Sequence, residues 1–416
     1  MKPNKAFLHF LENDAGSEYQ RSLLALDQYY DDNRQQLVED CTEALIRCFH
    51  HICQVQGRGH KKKIAYIYAS FLYTSLQEGQ GTYRLDAYDQ EWFFDPIECT
   101  TEYNALWAYG FLHELGERWN QTCKQYAGKI TRYDIELLKR MEACKFSVYV
   151  DAVMHQAVKL AVQSPEFAGI KKEEVLEIFI GEYKDQCRTL YRHDSRSKDS
   201  GIITKQITEN PADDYAFAVW EHLDFKEIQC RETDLRYVSF TGSTMTNLRF
   251  DQALLWGSDF THTQIINTHF IRSEMPGADF SHAELSGCQF TKVDAEPCGL
   301  ERETYIGIML PARFYKAKLT QMQFHETSLN EVTFEQAVLM ECQFNRCDMQ
   351  YTQFQGTTLS DCTFSFVDFR EADLRGAIIT ACDFSTSDLA GAIFSVGTDL
   401  KQLGLTIEQI QQVILT

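Results

Sequence analysis

The sequence predicts a chain of two unlike parts: a helical domain over residues 1–192, then an all-β solenoid over 215–397 closed by a short helix within 398–416. Three observations predict it. From Phe225 onward a large apolar residue, or a Cys, falls at every fifth position. A mostly small or β-branched residue stands two positions before each of these. The first 192 residues instead carry apolar stripes at helical spacing.

In the first part, residues 34–56 place Leu37, Cys41, Leu45, Cys48, Ile52 and Val55 on one helical face. Further helices are expected at 61–77, 103–126, 131–163 and 172–192. Gly79, Gly81 and Asp95-Pro96 mark breaks between them. The aromatic, acidic stretch Thr82–Phe94 reads as extended. A charged stretch containing Ser and Gly, residues 193–214, reads as a linker.

Little in this part signals chemistry. Cys48, His50, His51 and Cys53 are four possible metal ligands in six residues, but on a helix they point in different directions, poor geometry for a tetrahedral site. Asp86, Asp89, Glu91, Asp95, Glu98 and Glu102 could furnish an acid/base pair, yet acidic residues are common throughout. The run Arg58-Gly59-His60-Lys61-Lys62-Lys63 could touch phosphate, as could any solvated helix start. There is no phosphate-binding or dinucleotide glycine motif, no G-x-S-x-G and no C-x-x-C. The expectation is a protein without enzyme activity, cofactor or metal.

The five-residue series runs from Phe225 to Phe290 and resumes from Phe314 to Phe394, as 14 and 17 repeats. A helix would turn each successive member by about 140° and spread the series over every face. A strand would alternate it between two faces. A square coil with one five-residue side per repeat puts every centre residue inside. The smaller residue two positions earlier also points inward, because side chains alternate along an extended side. Centres twenty residues apart then stack as ladders, such as Phe240–Phe260–Phe280. Cys288, Cys342, Cys347, Cys362 and Cys382 fall at the smaller inward position and read as small core residues.

Ala278-Asp279-Phe280, Ala283-Glu284-Leu285 and Ala372-Asp373-Leu374 follow the pattern A-(D/N)-L-x-x. In this the chain resembles the pentapeptide-repeat family. The resemblance implies a right-handed quadrilateral β-helix of close to eight coils, about 37 Å long at the ~4.8 Å strand spacing. The helical domain is similar to one that precedes the repeats in some bacterial members. Some members of the family occupy the DNA-binding saddle of DNA gyrase, and the family often dimerises through its C-terminal end.

Phe290 and Phe314 are 24 residues apart, one short of five repeats, so the register is expected to slip across 296–311. A projecting loop there would offer Glu301, Arg302, Glu303 and Tyr305 to a partner. Asp348, Asp368 and Asp388, twenty apart and just before centre residues, should stack into an acidic ladder, with Asp259 and Asp279 as a shorter one. After the last repeat, Thr406 reads as the N-cap of a helix with Ile407, Ile410 and Ile414 on one stripe, suited to covering the final coil and pairing two subunits.

The charge points the same way. The chain carries 60 acidic against 40 basic residues. Such a surface repels nucleic acid and anionic membranes and suits a partner with a basic surface. The N-terminus lacks the apolar core of a signal peptide, no apolar run reaches the ~20 residues of a membrane span, and the 14 Cys read as reduced cytoplasmic thiols. The function that asks least of the sequence is a protein-binding scaffold, with a homodimer through the C-terminal helix. The alternative is a DNA mimic directed at gyrase, its rod matching about eleven base pairs at about 3.4 Å each.

Overall fold

The computed structural model describes residues 5–211, 213–298 and 308–416. The chain forms two compact units, divided after Arg196.

The first unit is helical but also contains a sheet. Its long helix α1 (Gly16–Gly57) buries Leu26, Tyr30, Leu37, Cys41, Leu45, Cys48 and Ile52 along one stripe. Helices α2 (Leu106–Thr122) and α3 (Arg132–Ala161) pack against it, and α3 starts at a reciprocal cap between Thr131 and Asp134. Strands β1 (Ile64–Phe71), β2 (Thr82–Tyr88), β3 (Thr100–Asn104), β4 (Lys172–Glu182) and β5 (Cys187–Asp194) form one sheet in the order β3-β2-β1-β4-β5. The β1–β4 pair is parallel, so the chain must cross over, and α2 and α3 lie in that crossover.

Two expected helices are therefore strands. In 61–77, β1 is a run of β-branched and aromatic residues covered on both faces, so no two-residue alternation marks it as a strand. In 172–192, β4 does alternate, with Leu176, Ile178 and Ile180 inward. Of the stretch Thr82–Phe94 read as extended, Thr82–Tyr88 is a strand, whereas Trp92–Phe94 forms a short helical turn.

The second unit is a solenoid of about nine coils, more than the repeat count suggests, because Tyr215 and Trp220 add centre residues before Phe225 and Ala295 adds one after Phe290. Each coil has four sides. The first, with Phe225, Met245 and Ile265, and the second, with Cys230, Phe250 and Phe270, pair as three-residue parallel strands. The third, with Leu235 and Leu255, and the fourth, with Phe240 and Phe260, touch their neighbours through single bridges one residue before the centre. Two ring ladders run up the interior. On the fourth side Phe240, Phe260, Phe280, Phe314, Phe334 and Phe354 stack at 4.6–5.2 Å. The second-side ladder continues to Phe384.

The smaller inward residues also hold the coils together. Ser258 Oγ donates to Leu235 O at 2.8 Å, and Thr357 Oγ1 donates to Phe334 O at the same distance. Cys342 and Cys362 send their thiols to Leu319 O and Leu339 O in the same way. Each links a coil to the centre carbonyl of the coil before it.

The expected register slip does not occur. Phe280 stacks on Phe314 at 4.8 Å and 4°, and Phe290 on Phe324 at 5.0 Å, so both ladders cross the break. Fourteen residues are inserted between Ala295 and Phe314, at one corner of one coil, and the count then resumes. Cys298 and Met309 pair antiparallel, and Met309 Sδ accepts from Tyr237 Oη at 3.4 Å on the same corner.

Both solenoid ends are covered. Inside the stretch read as linker, Asp199 caps helix α4 (Ser200–Glu209), whose Ile203 and Ile207 are buried in the core that also holds Trp220 and Phe225. At the other end Leu400, Leu403 and Leu405 are buried, and Thr406 caps α5 (Ile407–Gln412) with Gln409 in reciprocal contact. The helix ends before Ile414. Residues Ile414–Leu415 form strand β6 beside Ile393–Phe394, because Ala392 O and Phe394 O accept from Ile414 N and Thr416 N.

Candidate functional site

The carboxylates named from the sequence sit on the two bridge sides, for a local reason. There the N–H just after the centre residue is met by the Asp just before it. Asp259 Oδ1 accepts from Thr261 N at 2.9 Å and Asp279 Oδ1 from Ser281 N at 2.8 Å. Asp348, Asp368 and Asp388 accept likewise from Gln350, Arg370 and Ala390. This is an Asx-type turn closure. On the strand sides the whole three-residue side is paired with its neighbours. Asp before the centre is accordingly concentrated on the bridge sides.

The third side becomes an acidic column. Its bridge positions are Asp214, Asp234, Leu254, Glu274, Asp294, Ser328, Asp348, Asp368 and Asp388, so seven of nine coils carry a carboxylate. The sequence reading found the last three. It missed the first four because Asp214 and Asp294 fall outside the two runs and Leu254 interrupts the series, and the fourteen-residue insertion separates them from the last three until Phe280 is set against Phe314. The Asp259–Asp279 ladder stays short, since Arg313 is the next rung. Glu301, Arg302, Glu303 and Tyr305 lie outside the described residues.

The column is partly neutralised. Arg236 forks onto Asp234, with its closest contact at 2.6 Å, and Arg370 forks onto Asp368 at 2.7 Å and lies 4.0 Å from Asp388. Asp348 is met by the Gln350 amide and Glu274 by the Trp256 indole N–H at 3.1 Å. From Ser197 onward there are 31 acidic and 16 basic residues, so about three quarters of the chain's net charge of −20 belongs to this unit.

Residues 317–394 match the family described as "Pentapeptide repeat region", and residues 258–294 match "Pentapeptide repeats (8 copies)". The second unit is a pentapeptide-repeat solenoid. Solved structures similar to the chain include HetL, a pentapeptide repeat protein involved in heterocyst differentiation regulation from the cyanobacterium Nostoc sp. strain PCC 7120. It is 18% identical over 48% of this chain and 98% of its own, with a TM-score of 0.22. Full-length QnrB1, a plasmid-mediated fluoroquinolone resistance protein, is 21% identical over 42% of this chain and 93% of its own, with a TM-score of 0.16. No curated protein sequence matches the chain.

Outside the pentapeptide-repeat unit, the other sequence candidates disperse. Cys48 is buried, and burial pushes its thiol up to about 12. Cys53 Sγ donates to Glu166 O at 3.4 Å, while His50 bonds Gln54. Among the described residues, no three His, Cys, Asp or Glu converge to hold a metal ion. The basic run meets the acidic stretch instead of a ligand. Lys61 and Asp95 form an ion pair at 2.7 Å with both side chains 1% exposed, and Lys62 reaches Glu91 at 2.9 Å. Asp95 also accepts from the N–H groups of Asp89 and Ile97, which fixes the loop. Asp86 and Glu98 both pair with Arg84. Among the described residues, no helix is long and apolar enough to cross a membrane.

Proposed function

We propose that the protein is a non-enzymatic scaffold whose solenoid offers its acidic third side to a protein partner with a basic surface. The carboxylate column over seven of nine coils carries this reading. A continuous core of stacked rings makes a stiff support for it, so binding there costs little ordering entropy.

The column also motivates the second reading, a DNA mimic that binds gyrase. Its charge density argues for the broader one. One carboxylate per coil is about one charge per ~4.8 Å, against one per ~1.7 Å for duplex DNA. Two of the seven are, moreover, forked by arginine.

We further propose that two copies join through the C-terminal end. Strand β6 is the edge of its sheet, and Ile407, Ile414, Leu415 and Val396 are exposed around it. A two-fold contact is the commonest closed arrangement.

The test is capture of partners on the full-length protein, followed by binding of the purified partner to the wild type and to an Asp348→Asn/Asp388→Asn variant, which removes both charges and keeps both turn acceptors. Affinity should fall steeply with salt and further in the variant, with the melting midpoint little changed. Binding indifferent to both would remove the acidic side from the interface. Inhibition of gyrase supercoiling that the variant loses would favour the mimic.

A further inference from the structure

The first unit holds a cleft of about 390 Å³. Rings form its walls: Phe71 and Tyr109 stack at 4.4 Å and 12°, and the buried Tyr83 and Tyr109 hydroxyls meet at 3.0 Å. Its charged lining is Asp151, Glu182 and Arg188. Glu182 accepts from Tyr73 Oη at 2.8 Å. Burial and that carboxylate push the Tyr73 phenol up to about 12, so it stays a donor at neutral pH.

Two features define the ligand. The charge balance is two carboxylates to one guanidinium, so an anion would enter a net negative site. The pair that Asp151 makes with Arg188 is also lopsided: the Asp151 side chain is 9% exposed and the Arg188 side chain 45%. A nearly buried carboxylate thus faces a half-exposed cation, whose place on Asp151 an ammonium would take. Tyr73 already takes a cation on its face, with Arg140 Cζ 5.3 Å from the ring centre.

We propose that this cleft binds a small organic amine, its ammonium held by Glu182 and Asp151 and its apolar body lying among the rings of Phe71, Tyr73 and Tyr109. Rings that attract cations and carboxylates that accept charged hydrogen bonds are the two usual elements of ammonium recognition. The volume is at the small end of ligand sites. The proposal is independent of the acidic solenoid side.

The experiment is calorimetric titration of the full-length protein with phenethylammonium and with phenylacetate, which has a ring of the same size and the opposite charge. The amine should saturate at one per chain and phenylacetate should bind far more weakly. Glu182→Gln should weaken the amine roughly tenfold, the loss of one charged contact. Thiol alkylation provides a readout on the unaltered protein. Cys144 and Cys187 are the exposed cysteines among the fourteen, and both line the cleft. Saturating amine should slow alkylation of both. Phenylacetate bound as tightly as the amine, or both thiols alkylated at an unchanged rate in saturating amine, would overturn the proposal.

Discussion

The two units bury their rings by different rules. In the solenoid Phe260 lies between Phe240 and Phe280 at 5.0 and 4.6 Å, and the same contact returns every coil. In the first unit Tyr30 meets Tyr149 at 68° and Phe49 meets Phe167 at 54°, partners more than a hundred residues apart in the chain. Nothing there repeats. Solenoid stability should therefore be close to a sum of neighbour terms, while the first unit should rise or fall as one core.

The strongest way to break that comparison is a buried charge in each unit. Phe260→Asp places an unpaired carboxylate between stacked rings, a cost of about 4 kcal/mol or more. Amide exchange should quicken in the coils from Phe240 to Phe280 and stay slow around Phe334 and Phe354. Leu112→Asp, at a fully buried position on α2, should release protection throughout the first unit. Equal loss of protection along the whole solenoid would show that its coils are not additive.

A smaller effect is expected at the solenoid's end. Deleting residues 404–416 removes the buried Leu405, α5 and β6. The last coil should fray and the melting midpoint should drop by several degrees. The shortened chain should also sediment as a monomer. A full-length mass of 48.1 kDa at tens of micromolar protein would rule out the proposed dimer. A dimer that survives the truncation would move its interface elsewhere.

The same contrast governs what could be read in advance. The solenoid was legible because every fifth residue reports burial, and the centres from Phe225 to Phe290 and from Phe314 to Phe394 are buried but for the half-buried Ile379. Its errors came where counting fails: the ends of the runs, Leu254 and the insertion after Ala295 hid Asp214, Asp234, Glu274 and Asp294 from the acidic column. The helix covering the first coil was readable from Asp199 followed by Ile203 and Ile207 four apart, but its charged neighbours looked like a linker. In the first unit β1 is buried on both faces and shows no period, and its partners β2 and β4 are set by long-range pairing. The amine cleft left no mark in the sequence, since Phe71, Tyr109, Asp151 and Glu182 come from four separate elements.

The bridge sides allow a finer test of why the acid is there. Asp259→Ala removes the acceptor of Thr261 N and should cost about 1 kcal/mol. Asp259→Asn keeps an acceptor and should be nearly silent. Equal losses would mean that charge, rather than the turn closure, is what the position needs. The same closure also occurs on the last rung of the second side, at Asp383, whose carboxyl is held below the usual range by the Ser385 N–H and hydroxyl. A depressed carboxyl stabilises the fold above its unfolded value near 3.9 and loses that contribution as pH falls through its lower folded value. Asp383→Asn should therefore flatten the melting profile only in the acid range below about pH 4.

The smallest expected effect is the most informative about the insertion. Deleting residues 297–310 would restore the five-residue spacing from Ala295 to Phe314. It would also carry Pro311 into the corner two residues after a centre, where the chain takes positive φ, as at Tyr237 (59°) and Gly277 (69°). Proline is locked near −65°, so the excision needs Pro311→Gly. With that change the losses among the described residues include the Cys298–Met309 pair and the contact of Met309 with the corner at Tyr237 and Gly277. Closing a shorter loop returns a few tenths of a kcal/mol or more. The two nearly cancel, and the stability should stay within about 1 kcal/mol of the parent because the Phe280–Phe314 and Phe290–Phe324 stacks already cross the junction. Fast amide exchange from Phe314 onward in the excised protein would mean that the insertion, and not the ladders, holds the two runs of repeats in register.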